Sequence, residues 1–323
     1  MLVTYVFPVP SEIRVEDGNW SCLSFERDGK SVSIQKPYPR TQFDWQWDSL
    51  TVHSRTPAPK EWLEFEAGRE EYDTSLITVE VVFPAEPTEE SLQKETPGFV
   101  VPVLQQLISW IRVLTRQYWL GYYGRSFRLQ KHVMYMGEGS QRKRHHMGGT
   151  GWGFEYGKSL DATTWAEIGA KLALGARPSP SQIFFCDALL DIQEGDLEQA
   201  VLALGVSCEI GVFILTQDVL AQKDEEFQRL FQEFMRPSFE DSFRLLEKLG
   251  CDPFSDFDKK AARLVRRLYE ARGKAAHRGG CFYVENREKV FITSPGIIEY
   301  VVAVERLFAW LDAQRMRISR GGR

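Results

Sequence analysis

At 323 residues the chain has room for two domains of ordinary size. Its balance of 43% hydrophobic and 26% charged residues is that of a globular protein with its own core. A formal net charge of −5 excludes a broad basic coat, so any contact with nucleic acid must use a local patch. The cysteines Cys22, Cys186, Cys208, Cys251 and Cys281 lie far apart with no Cys-x-x-Cys pair, which points away from structural zinc and from a disulfide framework. The opening Met-Leu-Val-Thr-Tyr-Val-Phe-Pro has no basic start, and no uninterrupted apolar run approaches about 18 residues. A cytoplasmic protein without membrane partners is therefore expected.

Strand patterns fill the first part of the chain. Leu2–Phe7 is a compact apolar run, and Asp17-Gly18 and Asp28-Gly29 are hairpin-turn dipeptides. Val32–Ile34, Trp45–Trp47, Trp62–Phe65 and Leu76–Phe83 alternate as half-buried strands do. The proline-marked Pro84–Pro97 reads as a loop. Phe99–Trp119 then switches to helical spacing through Val103, Leu107, Trp110, Ile111, Leu114 and Tyr118. The glycine-dense stretch Gly137–Gly157, with Arg142 to His146 inside it, reads as a solvated loop and matches no phosphate-binding fingerprint.

From about Trp165 the pattern is helical. Ser179-Pro180 opens a helix over Ile183–Gln193 that Glu194-Gly195 stops, and Asp196 with Gln199 caps an almost wholly apolar helix over Leu197–Leu220. Helices near Glu225–Met235 and Phe239–Leu249 follow, the second capped by Ser238. Ser255-Asp256 begins a helix reaching Arg272. A hairpin turns around Glu285–Glu288, and a last helix starts near Ser294-Pro295 with a frayed basic tail over Arg315–Arg323. The fold class expected is α+β: a β-rich domain over 1–160 with one long helix, then a helical bundle over 161–323.

Two residues stand out on helices. Glu209 is the only charge between Gln199 and Gln217, and a lone carboxylate at the centre of a bundle needs a cation. Arg272 continues the apolar stripe Ala261, Val265, Leu268, which makes it the natural partner; a purely structural ion pair is the plainer alternative. His277 lies five residues on, about 140° round an ideal helix, so it converges with Arg272 only if the helix unwinds or a second copy supplies one of them. Lys259, Lys260, Arg263, Arg266, Arg267, Lys274, Arg278, Arg287 and Lys289 make this the basic part of the chain. The adjacent His145 and His146 cannot face one metal as a helical i, i+4 pair could, and Asp252, Asp256 and Asp258 read as helix caps. No metal or cofactor is expected.

The succession of Asp187–Asp196, the apolar helix with Glu209, and Leu268-Tyr-Glu-Ala-Arg-Gly-Lys-Ala-Ala-His277 resembles the HEPN superfamily and its Arg-x4-His signature. The resemblance covers about residues 180 to 313. It implies an up-and-down helical bundle that dimerises, with Arg and His of two copies meeting in a cleft to cut RNA without metal. Carried over, Arg272 would stabilise the phosphorane, His277 would move a proton, Glu209 would orient the arginine, and Lys274, Arg278, Arg266 and Arg267 would hold RNA. The function expected is a metal-independent endoribonuclease of the toxin or defence-effector kind, acting on RNA as a homodimer, with the β-rich first half restraining or targeting it and a regulatory protein as a further partner. The alternative is a non-catalytic HEPN-like module for dimerisation or partner binding. Gly273, where catalytic members usually carry Asn, Asp or His, favours that alternative.

Overall fold

The computed structural model describes residues 2–9, 13–18, 20–39, 75–84, 88, 90, 96–120, 133–136, 143–146, 157–222, 238–278 and 280–321. Its class is α+β, and the chain divides into two compact units, 1–178 and 179–323.

In the first unit, β1 (Leu2–Val9), β2 (Leu23–Arg27), β3 (Lys30–Ile34), β4 (Tyr38–Pro39) and β5 (Ser75–Val82) form one antiparallel sheet in the order β1-β5-β3-β2, with β4 on β5. The period-two apolar pattern fixes the register. Val3 opposes Val81 and Tyr5 opposes Val79 on one side, while Val32 and Ile34 oppose the same two valines on the other. All six are buried, so a one-residue slip would turn the whole set out of the core. Asp28-Gly29 makes the β2–β3 turn with φ of 51° and 70°, the left-handed pair a tight hairpin demands. Asp17-Gly18 makes no hairpin, because β1 pairs with β5 rather than β2; it follows a parallel bridge from Val15 to Leu160.

One face of the sheet is covered by α1 (Val101–Thr115), entered through a π-helical turn at Thr96–Val100, and by α2 (Ala162–Ala173). The helical spacing expected through Tyr118 stops earlier, at Arg116 in the left-handed conformation. Trp165, Ile168 and Leu172 of α2 share the sheet's core, so the domain boundary falls at 178/179 rather than 160/161. Lys143–His146, expected in a loop, is strand β7 paired with β6 (Val133–Met136). The segments 45–47, 62–65 and 225–235 lie outside the described residues.

The second unit holds α3 (Pro180–Glu194), α4 (Leu197–Leu220), α5 (Phe239–Lys248), α6 (Phe254–Phe257), α7 (Lys259–Arg278), the hairpin β8 (Phe282–Glu285) and β9 (Glu288–Phe291), and α8 (Ile297–Gly321). The caps fall where the side chains place them. Gln182 Oε1 accepts the Ser179 N–H at 3.2 Å, Asp196 accepts from Gln199 N–H at 3.1 Å, and Ser238 Oγ accepts from Asp241 N–H at 3.2 Å. Gly195 ends α3 at φ 80°. The helix carrying Arg272 starts at its Asp258 cap, separate from the short α6, rather than at Ser255-Asp256.

Helix α4 packs on α3, α5, α7 and α8 through Leu204, Cys208, Val212, Leu215 and Val219. An aromatic cluster of Phe239, Phe243, Phe254 and Trp310 closes one end, with the Trp310 indole donating to the Asp252 carbonyl at 3.1 Å. The tail is helical to Gly321 rather than frayed from 315, because Arg315 pairs with Asp218 and Asp312, and Arg317 with Asp252. On length and composition, 98–115 and Leu197–Leu220 could each cross a membrane, contrary to the expectation from uninterrupted runs; more than half of each is buried inside the protein, as in any core helix.

Among the described residues three carboxylates are held in their ionised form by the fold. The Thr164 backbone N–H holds Asp161 below the usual range, Ala261 N–H does the same for Asp258, and the Arg317 guanidinium does so for Asp252. A carboxyl depressed on folding adds stability above its unfolded value, about 3.9, and that stability is lost as pH falls through the folded value. The melting temperature should thus fall as pH drops below about 4, with little change between about 5 and 7. Calorimetry across that range tests it, and a melting temperature that rises on acidification would be the contrary result.

Candidate functional site

Arg272 and Glu209 meet. Arg272 Nη2 lies 2.8 Å from Glu209 Oε2, bringing together α7 and α4. The contact depends on Gly205, one turn before Glu209. A Cβ there would come within 2.8 Å of Arg272 Cβ and Cδ and 2.9 Å of Cγ, so the bare backbone lets the arginine stem lie across α4. The guanidinium carbon also stands 5.6 Å from the Tyr269 ring centroid, and Tyr269 stacks on Phe239 at 4.5 Å. Stem and head of Arg272 are therefore both positioned. One contact at Nη2 occupies one corner of a five-donor fork.

The pair is less buried than a lone carboxylate on an apolar helix led us to expect. Its side chains are 28% and 40% exposed, so the ion pair contributes at most about 1 kcal/mol. The reason is that α4 is not surrounded. Leu202, Val206, Glu209 and Phe213 recur at 4, 3 and 4 residues along one face, the first three half-buried and Phe213 56% exposed. Glu209 thus sits on an open apolar face, with Ile210 beside it, and Arg272 at its edge.

His277 is exposed on the last turn of α7. The helix runs unbroken from Lys259 to Arg278, so Gly273 does not unwind it and the 140° offset from Arg272 persists within one chain. A Cβ on Gly273 would meet nothing within 4 Å. The structure therefore brings Arg272 and Glu209 together and leaves His277 apart from them.

Of the residues expected to hold RNA, Lys274 is half-buried and Arg266 exposed. Arg278 closes α7, and its side chain lies outside the described residues. Arg267 is committed elsewhere: it pairs with Glu285 and lies 4.9 Å over the Tyr283 ring, tying α7 to β8. Beneath it Tyr300 has its phenol pushed up by burial and by its hydrogen bond with Tyr283. That contact needs the hairpin to fold back onto α7, which no local spacing in the sequence shows. Gly205 was equally invisible, since its role is a close approach to a residue far along the chain.

Among the described residues no cluster of three His, Cys, Asp or Glu side chains could hold a metal. Four of the five cysteines are buried and Cys22 is exposed. Burial pushes the Cys281 thiol up to about 11 and those of Cys208 and Cys251 upward too. Native protein should show one fast-reacting thiol, and five after denaturation; a second rapid equivalent in native thiol titration would contradict this.

No family model, curated protein or solved structure matches this chain.

Proposed function

We propose that the chain is a metal-independent endoribonuclease of HEPN type, with the second unit as an up-and-down bundle and the site completed by a second copy. The observation that supports it best is the Arg272–Glu209 pair at 2.8 Å, which holds a guanidinium at the edge of an open apolar face. Solvent reaches the arginine, so part of its fork can meet phosphate oxygens. Glu209 fixes its orientation, as an electrostatic stabiliser of developing charge requires.

In this reading the substrate's 2′-hydroxyl attacks the adjacent phosphorus. His277 of one copy takes the hydroxyl proton and passes it to the departing 5′-oxygen, and Arg272 of the other neutralises the phosphorane. The P–O5′ bond breaks, leaving a 2′,3′-cyclic phosphate and a 5′-hydroxyl. The face of Val206, Ile210 and Phe213 is the surface through which two copies would join, bringing together groups that one helix keeps 140° apart. A toxin or defence role, with the first unit restraining or targeting the nuclease, belongs to the same proposal.

A specific observation favours the second reading, a non-catalytic dimerisation module. Gly273 supplies no hydrogen-bonding side chain beside Arg272, although the space there is open. Purified protein incubated with RNA and with DNA in EDTA separates the two. The nuclease cuts RNA to cyclic-phosphate ends and spares DNA, which lacks the nucleophile; intact RNA with a dimer in light scattering leaves the module.

A further inference from the structure

The basic residues in the first half of α7 line a second feature, an open groove of about 950 Å³ bounded by the starts of α5 and α6, by α7 and by β8. Lys259, Arg263 and Arg266 stand along it at spacings of 4 and 3 residues, hence on one face of α7, rising about 6 Å and then about 4.5 Å along the axis. All three are exposed, and among the described residues none has an acidic partner. The other two cations of the groove are already paired. Lys260 pairs with Glu299 at 3.1 Å, Arg267 with Glu285, and Glu270 accepts the Val284 N–H at 3.0 Å. Among the described residues of its walls five cations face three carboxylates, Glu240, Glu270 and Glu285, so the groove keeps a net positive charge in a chain of net charge −5.

We propose that this groove binds the phosphate backbone of single-stranded RNA, holding the chain outside the Arg272 site; the choice of RNA rests on the ribonuclease reading. A row of point charges along a concave wall suits a flexible strand with regularly repeated anions, whereas a planar membrane would touch only its rims. The groove's aromatic rings are already occupied. Tyr269 lies between Phe239 and the Arg272 guanidinium, and Tyr283 is buried under Arg267. Among the described residues lining the groove no free ring remains to stack a base, so recognition is through phosphates and tolerant of sequence. Arg266 belongs to this row, and Arg267 holds its wall.

The test uses the full chain and a labelled 2′-O-methyl oligouridylate, which cannot be cut, followed by fluorescence anisotropy. Three phosphate contacts predict a slope of log affinity against log salt of about −2, or about a 15-fold loss between 50 and 200 mM. The triple variant Lys259→Gln, Arg263→Gln, Arg266→Gln should bind at least tenfold more weakly with a flattened slope, while circular dichroism stays unchanged because all three side chains are exposed. A single-stranded DNA of the same length should bind within a fewfold of the RNA analogue. Wild-type affinity in the folded triple variant overturns the proposal. So does a preference for poly-glutamate or anionic vesicles over the oligonucleotide. Loss of binding in the triple variant with natural RNA left intact by the wild type keeps the groove and removes the nuclease; equal RNA cleavage at low substrate by wild type and triple variant does the reverse.

Discussion

His277→Ala should lower RNA cleavage by about 10²–10⁴-fold, equivalent to about 3–5 kcal/mol of barrier, the usual contribution of a positioned acid or base. The imidazole is exposed on the last turn of α7 and packs into no core, so its removal should leave thermal stability within about 0.5 kcal/mol of wild type. That separation makes the variant informative, since lost activity cannot then be lost fold. Arg272→Lys should also fail, because an ammonium can still meet Glu209 but cannot present a planar fork to phosphate oxygens. Its half-exposed ion pair contributes at most about 1 kcal/mol, so this loss too would exceed any effect on folding. Mixing His277→Ala with Arg272→Ala chains should restore cleavage, since one cleft of the mixed dimer then holds an intact Arg and an intact His. A wild-type rate from well-folded His277→Ala protein removes the nuclease, and failure to complement removes the shared cleft.

Helix ends were legible because capping is local. Asp196 and Ser238 each accept an N–H from three residues on, Gln182 reaches back to the Ser179 N–H, and those positions can be read from spacing alone. The sheet's central strands were legible for a similar reason, as alternation over Val32–Ile34 and Leu76–Phe83 marks one buried face. Partnership across the sheet was not. Asp17-Gly18 has the chemistry of a hairpin turn, but β1 prefers β5 because its buried Val3 and Tyr5 align there with Val81 and Val79. The domain boundary was misplaced because α2 is amphipathic in a way that suits either a bundle or a sheet, and only Trp165, Ile168 and Leu172 in the sheet's core decide it.

At the site, charge pattern revealed the Arg272–Glu209 pair but overstated its burial. An apolar helix reads as surrounded whether its outer face meets another helix, another chain or water, and the sequence of α4 is the same in all three cases. Gly205 carried no signal for the same reason. A glycine inside a helix is usually a weakness, and only the neighbour it admits shows why it is there.

Gly205→Leu should therefore be the most disruptive single change near the pair. Alanine already places a Cβ within 2.8 Å of the Arg272 stem, including its Cβ, which is fixed to α7 and cannot swing aside. Overpacking of this kind costs about 1–3 kcal/mol, whereas exchanging glycine for alanine in a helix returns about 1 kcal/mol. The two terms leave Gly205→Ala destabilised by about 0–2 kcal/mol, and leucine, with three more carbons in the same gap, by about 3 kcal/mol or more. For a unit of this size each kcal/mol lowers the melting temperature by about 2–4 °C, so Gly205→Leu should melt about 6–12 °C below wild type. The origin of the strain can be checked by a cycle with Arg272→Ala. That change removes Cγ and Cδ but keeps the Cβ, so the cost of Gly205→Ala should shrink in that background without vanishing. An undiminished cost would place the clash elsewhere than on the arginine stem. A Gly205→Leu protein as stable as wild type would mean that α4 and α7 do not approach as closely as the Arg272–Glu209 pair requires.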